Sequence, residues 1–366
     1  MQTLSVYRVS PDGHLHQLDL YVTAGSPPFW YGQSVSYFVT ENVIKNANSS
    51  LSHPTYAPLL CVGDLNWDVL AKPDHILLSG GDTTGRVQLA HGGSSANVAV
   101  WARRVGMPTG FLGKIGRDQF GAFALAKLEE EQVVPYMIWS EQHATGVVLV
   151  LIDSSGQRSM LTNQGADFFL LPDELPRGVI AAAKHVHITA WSLFTDPPRA
   201  AALEAARIAT EAGATVSFDP GSYQMIRQMG REEFKRATKA LSIDIMFPNL
   251  EEGRALTGAQ NPEDVLAALR QEYPETLMCL KLDKDGAMVA DSSSIFQVEA
   301  TKDTVIDATG AGDSFCGAFL GHYLRSKDAR AAAALAAQVA GWVVSVFGAR
   351  PEMESNLEER IKKYGY

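Results

Sequence analysis

"DPPRAAALEAARIATEAGATVSFD", Asp196 to Asp219, sets one helix directly before one strand. Alanine, leucine and isoleucine recur at helical spacing after the two prolines. Asp196 suits the cap position, the prolines suit the first turn, and Gly213 suits the end. From Ala214 the pattern changes to a short β-branched and aromatic run, "ATVSFD", which predicts a buried strand. A helix that leads straight into a strand forms half of a parallel crossover unit.

The same alternation continues in both directions. Toward the N-terminus, "PLLCVGDL" reads as a first strand from Pro58. "SSANVAVWARRVG" reads as a helix ended by Gly106 with Pro108 just beyond, and "TGFLG" as a short strand. Toward the C-terminus, "DIMFPN" reads as a strand. "NPEDVLAALRQEY" reads as a helix with Asn261 as cap and Pro262 at its first position. "TLMCLKLDKDGAMVAD" reads as two strands around a turn at Asp285-Gly286, and two helices follow, starting near Asp313 and Asp328. This order predicts an α/β fold with a mainly parallel sheet flanked by helices on both faces. Two segments break it, residues 69–91 and 145–165, which read as glycine-turned hairpins suited to a small β-strand lid. The expected organisation is an N-terminal extension (1–57) without an assigned role, a main domain (58–353) and a C-terminal tail (354–366). Within the extension "SVYRVSPDGHLHQLDLYVTAGSPPFWYG" suits a hairpin and "ENVIKNANSSLSHPTYAP" a linker. A loosely attached extension, a misassigned start and a partner-docking module are all open for it.

At 366 residues and 46% hydrophobic, the chain can bury a large core. A net charge of −10 argues against nucleic acid as the main partner. Cys61, Cys279 and Cys316 form no CxxC pair, which argues against a zinc site or a disulfide framework and suits a reducing, cytoplasmic setting. No basic start with an apolar core opens the chain, so no signal peptide is expected. The alanine-rich run from Ala331 to Ala349 carries Gln338 and is flanked by Arg330 and Arg350, so a buried helix is expected rather than a membrane span.

The strands' carboxyl ends carry the polar strings "GDLNWD", "FDPG", "PNLEE" and "DATGAGD", where ligands bind in such sheets. In the last string Gly310, Ala311, Gly312 and Asp313 open a helix. Backbone amides there can converge on an anion, helped by the helix dipole, with no lysine beside them. Asp313, at the rim, suits the acceptor of a proton from an attacking hydroxyl. A tight turn is the plain alternative for the glycines alone. No GxxxxGK[ST] loop and no GxGxxG after a strand is present, which excludes P-loop kinases and disfavours dinucleotide oxidoreductases.

The whole string resembles the C-terminal signature D-[TA]-[TV]-G-A-G-D of the ribokinase-like sugar kinases, the phosphofructokinase B family, at Asp307, Thr309, Gly310, Ala311, Gly312 and Asp313. The family's N-terminal signature is similar to "GGSSANVAVWARRVG" at Gly92, Gly93 and Asn97, and to "LGKIGRDQFG" at Gly113, Gly116, Asp118 and Gly121. The resemblance implies an ATP-dependent, Mg²⁺-requiring phosphotransferase acting on a hydroxyl of a small sugar or polyol. It implies Asp313 as general base, the 310–313 backbone as anion hole, and Asn66, Asp68, Gly92, Gly93 and Asn97 as the acceptor site. "PNLEE" is similar to the N-x-x-E motif, which implies that Asn249 and Glu252 help hold Mg²⁺ through water; a capped helix start is the plain reading of the same residues. "LKLDKDG" and "SVFGARPEM" resemble nucleotide-side loops, which implies nucleotide contacts for Lys281, Gly286, Thr309, Gly348 and Ala349. Asp307 lies in the loop implied for a K⁺ ion.

Two departures stand out. Asp283 replaces a frequent glycine, and "FDPGSY" lacks the arginine of D-P-N-x-R, which weighs against an acidic or phosphorylated sugar. A nucleoside kinase on the same fold and a silent sugar-binding regulator are the alternatives. A homodimer through lid strands is implied as well, with neither nucleic acid nor membrane as partner. His185 and His187 share a strand face without a third ligand and read as core residues. Arg158 reads as a solvated turn residue, with reach to a substrate group as the alternative, and Trp191 as core. Trp67 is balanced between core and a sugar-facing ring.

Overall fold

The computed structural model describes residues 2–9, 15–22, 57–153, 158–163, 165–291 and 293–364. The chain divides into two units, Met1–Ser52 and His53–Tyr366. In the first, strands β1 (Gln2–Val9) and β2 (Leu15–Val22) pair antiparallel, Gln2 opposite Val22 and Val9 opposite Leu15. The linker expected at 41–58 lies almost wholly outside the described residues.

In the second unit, seven strands form a parallel sheet: β3 (Leu59–Val62), β6 (Thr109–Gly116), β7 (Val134–Ser140), β10 (His185–Thr189), β11 (Thr215–Asp219), β12 (Ile245–Met246) and β13 (Leu277–Lys281). Strands β14 (Ala287–Ala290) and β15 (Ile295–Val298) extend one edge antiparallel. The spatial order is β15-β14-β13-β12-β11-β10-β3-β6-β7. The chain leaves β3 toward β6 and β7, then returns to β10 on the other side. The order therefore reverses between β3 and β10, and a crevice opens there at the carboxyl ends.

Each buried strand serves two cores, because successive side chains point to opposite faces. On β3, Leu59 and Cys61 pack with helices α1 (Ser94–Arg104), α2 (Gln119–Glu130), α9 (Ala311–Ser326), α10 (Ala329–Val344) and α11 (Ser355–Lys362). Leu60 and Val62 pack on the other face with α3 (Arg177–Ala182), α4 (Pro198–Glu211), α5 (Tyr223–Met229), α6 (Arg231–Lys239), α7 (Leu250–Thr257) and α8 (Pro262–Glu272). The alanine-rich run forms α10, buried as expected. Among the described residues, no helix is long and apolar enough to cross a membrane.

A separate four-stranded sheet, ordered β5-β4-β8-β9, takes up the two interrupting segments: β4 (Asn66–Pro73), β5 (Gly85–Gly92), β8 (Gly146–Ile152) and β9 (Arg158–Asn163). Leu70, Val148, Val150 and Ile152 line its buried face with Phe347.

Two local expectations are corrected. Asp196 does not cap α4: Pro197 takes the cap position with a helical φ of −84° and ψ of −12°, and the Asp196 carboxylate turns to Arg199 at 3.7 Å instead. The tail at 354–366 is not featureless, since α11 buries Leu357 and Ile361, so three helices close the chain rather than two.

Candidate active site

The first turn of α9 is built by a clamp. Asp307, fully buried, accepts bonds from the Thr309 amide (2.9 Å) and hydroxyl (2.6 Å) through one oxygen and from the Gly348 amide (2.9 Å) through the other. The chain then passes through Gly310 at φ +76°, where a Cβ would lie 2.5 Å from the Cβ of Ala349. Only glycine meets both demands. The helix begins at Ala311 with no side-chain cap, so the first-turn amide edge of α9 carries no side-chain partner of its own.

Asp313 stands in that first turn. Asn97 Nδ2 donates to its Oδ2 at 2.7 Å. Burial pushes the carboxyl up to about 6; the Asn97 bond and Lys281 oppose this, while Asp219 and Asp64 add to it. The other end of Asn97 is also held: Arg350 Nε donates to Oδ1 at 2.5 Å, and Arg350 Nη2 donates to the Gly92 carbonyl at 2.7 Å. Burial lowers the Arg350 guanidinium to about 10.

Opposite lies a cradle of acceptor oxygens. Asn66, Asp68, Gly92 and Asn97 meet where β4 and β5 join α1. A Cβ on Gly92 would stand 2.3 Å from Asn66 Oδ1 and 2.3 Å from Asp68 Oδ1, so the glycine leaves room for both to converge. Asn66 Oδ1 is buried and without a hydrogen-bond partner. Asp64 fixes the cradle from below, accepting from the amides of Ser94 (2.7 Å) and Ser95 (3.1 Å) just beyond Gly93 and from the Thr189 hydroxyl (3.1 Å). It thereby serves as the cap that Gly93 cannot provide. Asp118 caps α2 through Gly121 and also accepts from the Thr145 amide at 2.7 Å, at the root of β8. Trp67 donates its indole N–H to the Phe120 carbonyl at 2.9 Å and packs edge-on against His91.

On the far side, Lys281 Nζ pairs with the buried Asp219 at 2.7 Å, and Cys316 Sγ lies 3.1 Å from the same carboxylate oxygen. Burial opposes ionisation of Asp219, but the Lys281 ammonium outweighs it and holds the carboxyl below its ordinary range. The pair reaches the first turn of α9, since a Cβ on Gly312 would stand 3.3 Å from Lys281 Nζ. A lysine absent from the local string is thus supplied by β13. Asn249 and Glu252 form a reciprocal cap of α7: Glu252 Oε2 accepts from the Asn249 amide (2.8 Å), Oε1 from Asn249 Nδ2 (2.7 Å), and Asn249 Oδ1 from the Glu252 amide (2.9 Å). Burial raises the Glu252 carboxyl, and the Asp219 and Asp313 charges add to that. Asp283 takes φ +56°, the left-handed conformation that a glycine there would adopt freely, and Gly286 packs against the Val298 carbonyl.

The structure thus brings Asn66, Asp68, Gly92, Gly93 and Asn97 to one wall, Asp313 between them and Lys281, Ala349 against Gly310 and Gly348 onto Asp307. Asp64, Asp219 and Arg350 were not singled out from sequence. Asp219 ends a quoted strand and Arg350 directly follows Gly348-Ala349, so position alone was the available signal. His185 and His187 are core residues bonded to Ser217 (2.7 and 2.8 Å). Among the described residues, no group of His, Cys, Asp and Glu forms a metal cluster. The Arg158 side chain lies outside the described residues.

Residues 57–356 match the model of the pfkB family carbohydrate kinases. The chain is 32% identical over 272 residues to the ATP-dependent ribose-1-phosphate kinase of Halopiger xanaduensis, covering 74% of this chain and 86% of that protein. It is also 32% identical over 243 residues to the fructokinase of Klebsiella pneumoniae, covering 65% of this chain and 78% of that protein. Its fold is similar to the adenosine kinase structure from Sinorhizobium meliloti, with a TM-score of 0.76 at 23% identity over 84% of this chain and 99% of that one.

Proposed function

The chain belongs to the pfkB family of carbohydrate kinases, and on that premise we propose that it moves the γ-phosphoryl group of ATP to a hydroxyl of a small sugar or polyol, with Asp313 as general base. The observation that carries this reading is the placement of Asp313: it stands in the first turn of an uncapped helix and is bonded to Asn97 of the acceptor wall. An acceptor hydroxyl held by Asn66 and Asp68 would lose its proton to Asp313 as its oxygen bonds the phosphorus. The bond from phosphorus to the bridging oxygen breaks and ADP leaves. The amides at Gly310 to Asp313, with the Lys281 ammonium behind Gly312, face the charge spread over the transferring group. The unpartnered Asn66 oxygen and the converging Asp68 oxygen suit donors such as the hydroxyls of a polyol.

The residues present fit a divalent cation. Asp219, Glu252 and Asp313 all interact with the Lys281 ammonium, so three carboxyl groups share that one cation. Asn249 and Glu252 would hold Mg²⁺ through its waters, since their direct bonds are engaged in the α7 cap. When bound, Mg²⁺ supplies charge neutralisation at the phosphates. Thr309, Gly348, Ala349 and Gly286 complete the nucleotide side in this reading, and a K⁺ ion beside Asp307 is its further part.

The test is turnover of ATP with Mg²⁺ against fructose, ribose, ribose 1-phosphate, 2-keto-3-deoxygluconate and adenosine, with and without K⁺. Phosphorylation of one sugar well above the rest supports the reading. Preference for adenosine would make the chain a nucleoside kinase, and tight sugar binding without ATP turnover would make it a sensor.

A further inference from the structure

The chain's C-terminal loop carries a cation into the acceptor wall. Arg350 is held from behind, because the carbonyl of the preceding residue, Ala349, accepts from the Trp101 indole at 3.0 Å, and Ala349 itself packs against Gly310. Gly348, two residues back, is tied to Asp307 at 2.9 Å. The loop is therefore bolted to the nucleotide side, while its arginine reaches the acceptor side at Gly92 and Asn97. Arg350 only donates, so it fixes which way the Asn97 amide faces: Oδ1 toward the guanidinium and Nδ2 toward Asp313. We infer that Arg350 is a positioning residue for phosphoryl transfer, acting through Asn97 to orient the Asp313 carboxylate and to hold the acceptor wall in register with the anion hole. This rests on the reading of Asp313 as base.

The chemistry follows from the two bonds. With Oδ1 held by the guanidinium, Asn97 turns its Nδ2 to Asp313. The guanidinium also polarises the amide and strengthens its bond to the carboxylate. Other titratable groups face Asp313: Asp219 of β11, Asp64 beyond β3, Lys281 of β13, Glu252 of α7 and Cys316 of its own helix. None of them contacts Asn97 in the arrangement described, so Arg350 is the lever on this bond. Without it the amide is free to turn, Asp313 loses a donor, and its affinity for a proton rises.

Arg350→Met and Arg350→Lys test this in the full chain. Aspartate labelled with ¹³C at the carboxyl gives the Asp313 titration, identified by the resonance lost in Asp313→Asn, with no acceptor needed. The midpoint is expected to rise by roughly half a unit or more in Arg350→Met and less in Arg350→Lys. With the best acceptor of the panel, the acidic limb of kcat should move by the same amount. kcat should fall about tenfold, with a smaller change in acceptor KM. A folded Arg350→Met protein with an unmoved Asp313 midpoint overturns the proposal. A moved midpoint with an unmoved kinetic limb keeps Arg350 as the residue that sets Asp313 and removes Asp313 as base. Should Arg350→Met fail to fold, Arg350→Lys and Asn97→Ala supply the same comparison, and equal midpoints in wild type and both variants overturn it.

Discussion

Asp313 must be ionised to take a proton, yet its surroundings favour the protonated form. Burial and the charges of Asp219 and Asp64 raise it to about 6, against the Asn97 bond and Lys281. Turnover is therefore expected to climb with pH through about 6 and then level, which a pH profile of kcat checks. Asp313→Asn should lower kcat by about 10²–10⁴-fold with little change in acceptor KM. The same variant carries a stability prediction. A carboxyl with a raised folded pKa binds its proton more tightly in the native state, so its contribution to stability is present at low pH. That contribution is lost as pH rises from about 4 to about 6. Asp313→Asn removes this loss, so its melting temperature should exceed wild type at pH 8, and the gain should shrink toward pH 4. At this scale the sequence was legible where a residue belongs to a short string: Asp313 closes one, and Asn97 stands four residues after Gly93 in another. Arg350 and Asp219 were not, because their partners lie 253 and 62 residues away along the chain. A pattern read in windows cannot pair such residues.

The elements show why the glycines of one string are not equivalent. Gly310 adopts φ +76° and its missing Cβ would collide with backbone-fixed Ala349. Gly312 sits in regular helix, and its missing Cβ would approach only the end of a lysine side chain at 3.3 Å. Gly310→Ala should therefore destabilise the fold by at least about 1–2 kcal/mol, seen as a clear drop in melting temperature, and reduce kcat as well. Gly312→Ala should melt close to wild type yet lose turnover, since it displaces Lys281 and narrows the anion site. Equal melting losses in the two would contradict this. Strand and helix order was legible because the period switches sharply between units, as at Ala214. Caps were less so. Asn261 caps α8 through its side chain as the string implies, but Asp196 does not cap α4, because Pro197 already enters the helix. Helix α11 escaped because its buried face is a single pair four residues apart, Leu357 and Ile361, too short for a repeat to register. At "PNLEE" the plain reading and the functional one occupy the same atoms: the cap uses both oxygens of Glu252, leaving only their remaining lone pairs for the waters of a cation.

At the scale of the whole molecule, the family match begins at residue 57 and the first compact unit ends at Ser52. A chain starting at His53 should keep its fold and its turnover within about twofold of the full chain, because the second unit carries its own core. The lid poses the sharper question. On β8 burial alternates strictly: Val148 and Val150 face the core while Leu149 and Leu151 face outward. Register carries that outward row across all four strands, Leu89 to Val69 to Leu149 to Leu161. Leu89 is 54% and Leu161 70% exposed, and nearby Val87 is 69% exposed. An apolar sheet face of this kind is expected to be covered, and a second lid of the same shape would cover it symmetrically. Light scattering of the wild type should then give twice the chain mass, and Leu89→Glu with Leu161→Lys should give the single-chain mass. A wild type that is already monomeric at micromolar concentration sinks the idea. The kinetic consequence follows from the pleat of one strand. β4 turns Asn66 and Asp68 to one face and Val69 to the exposed row, so loss of a covering lid loosens the strand that carries the two proposed acceptor ligands. The monomeric variant should lose acceptor affinity first, with KM for the sugar rising more than KM for ATP, whose side of the cleft is held by the Asp307 clamp on Thr309 and Gly348.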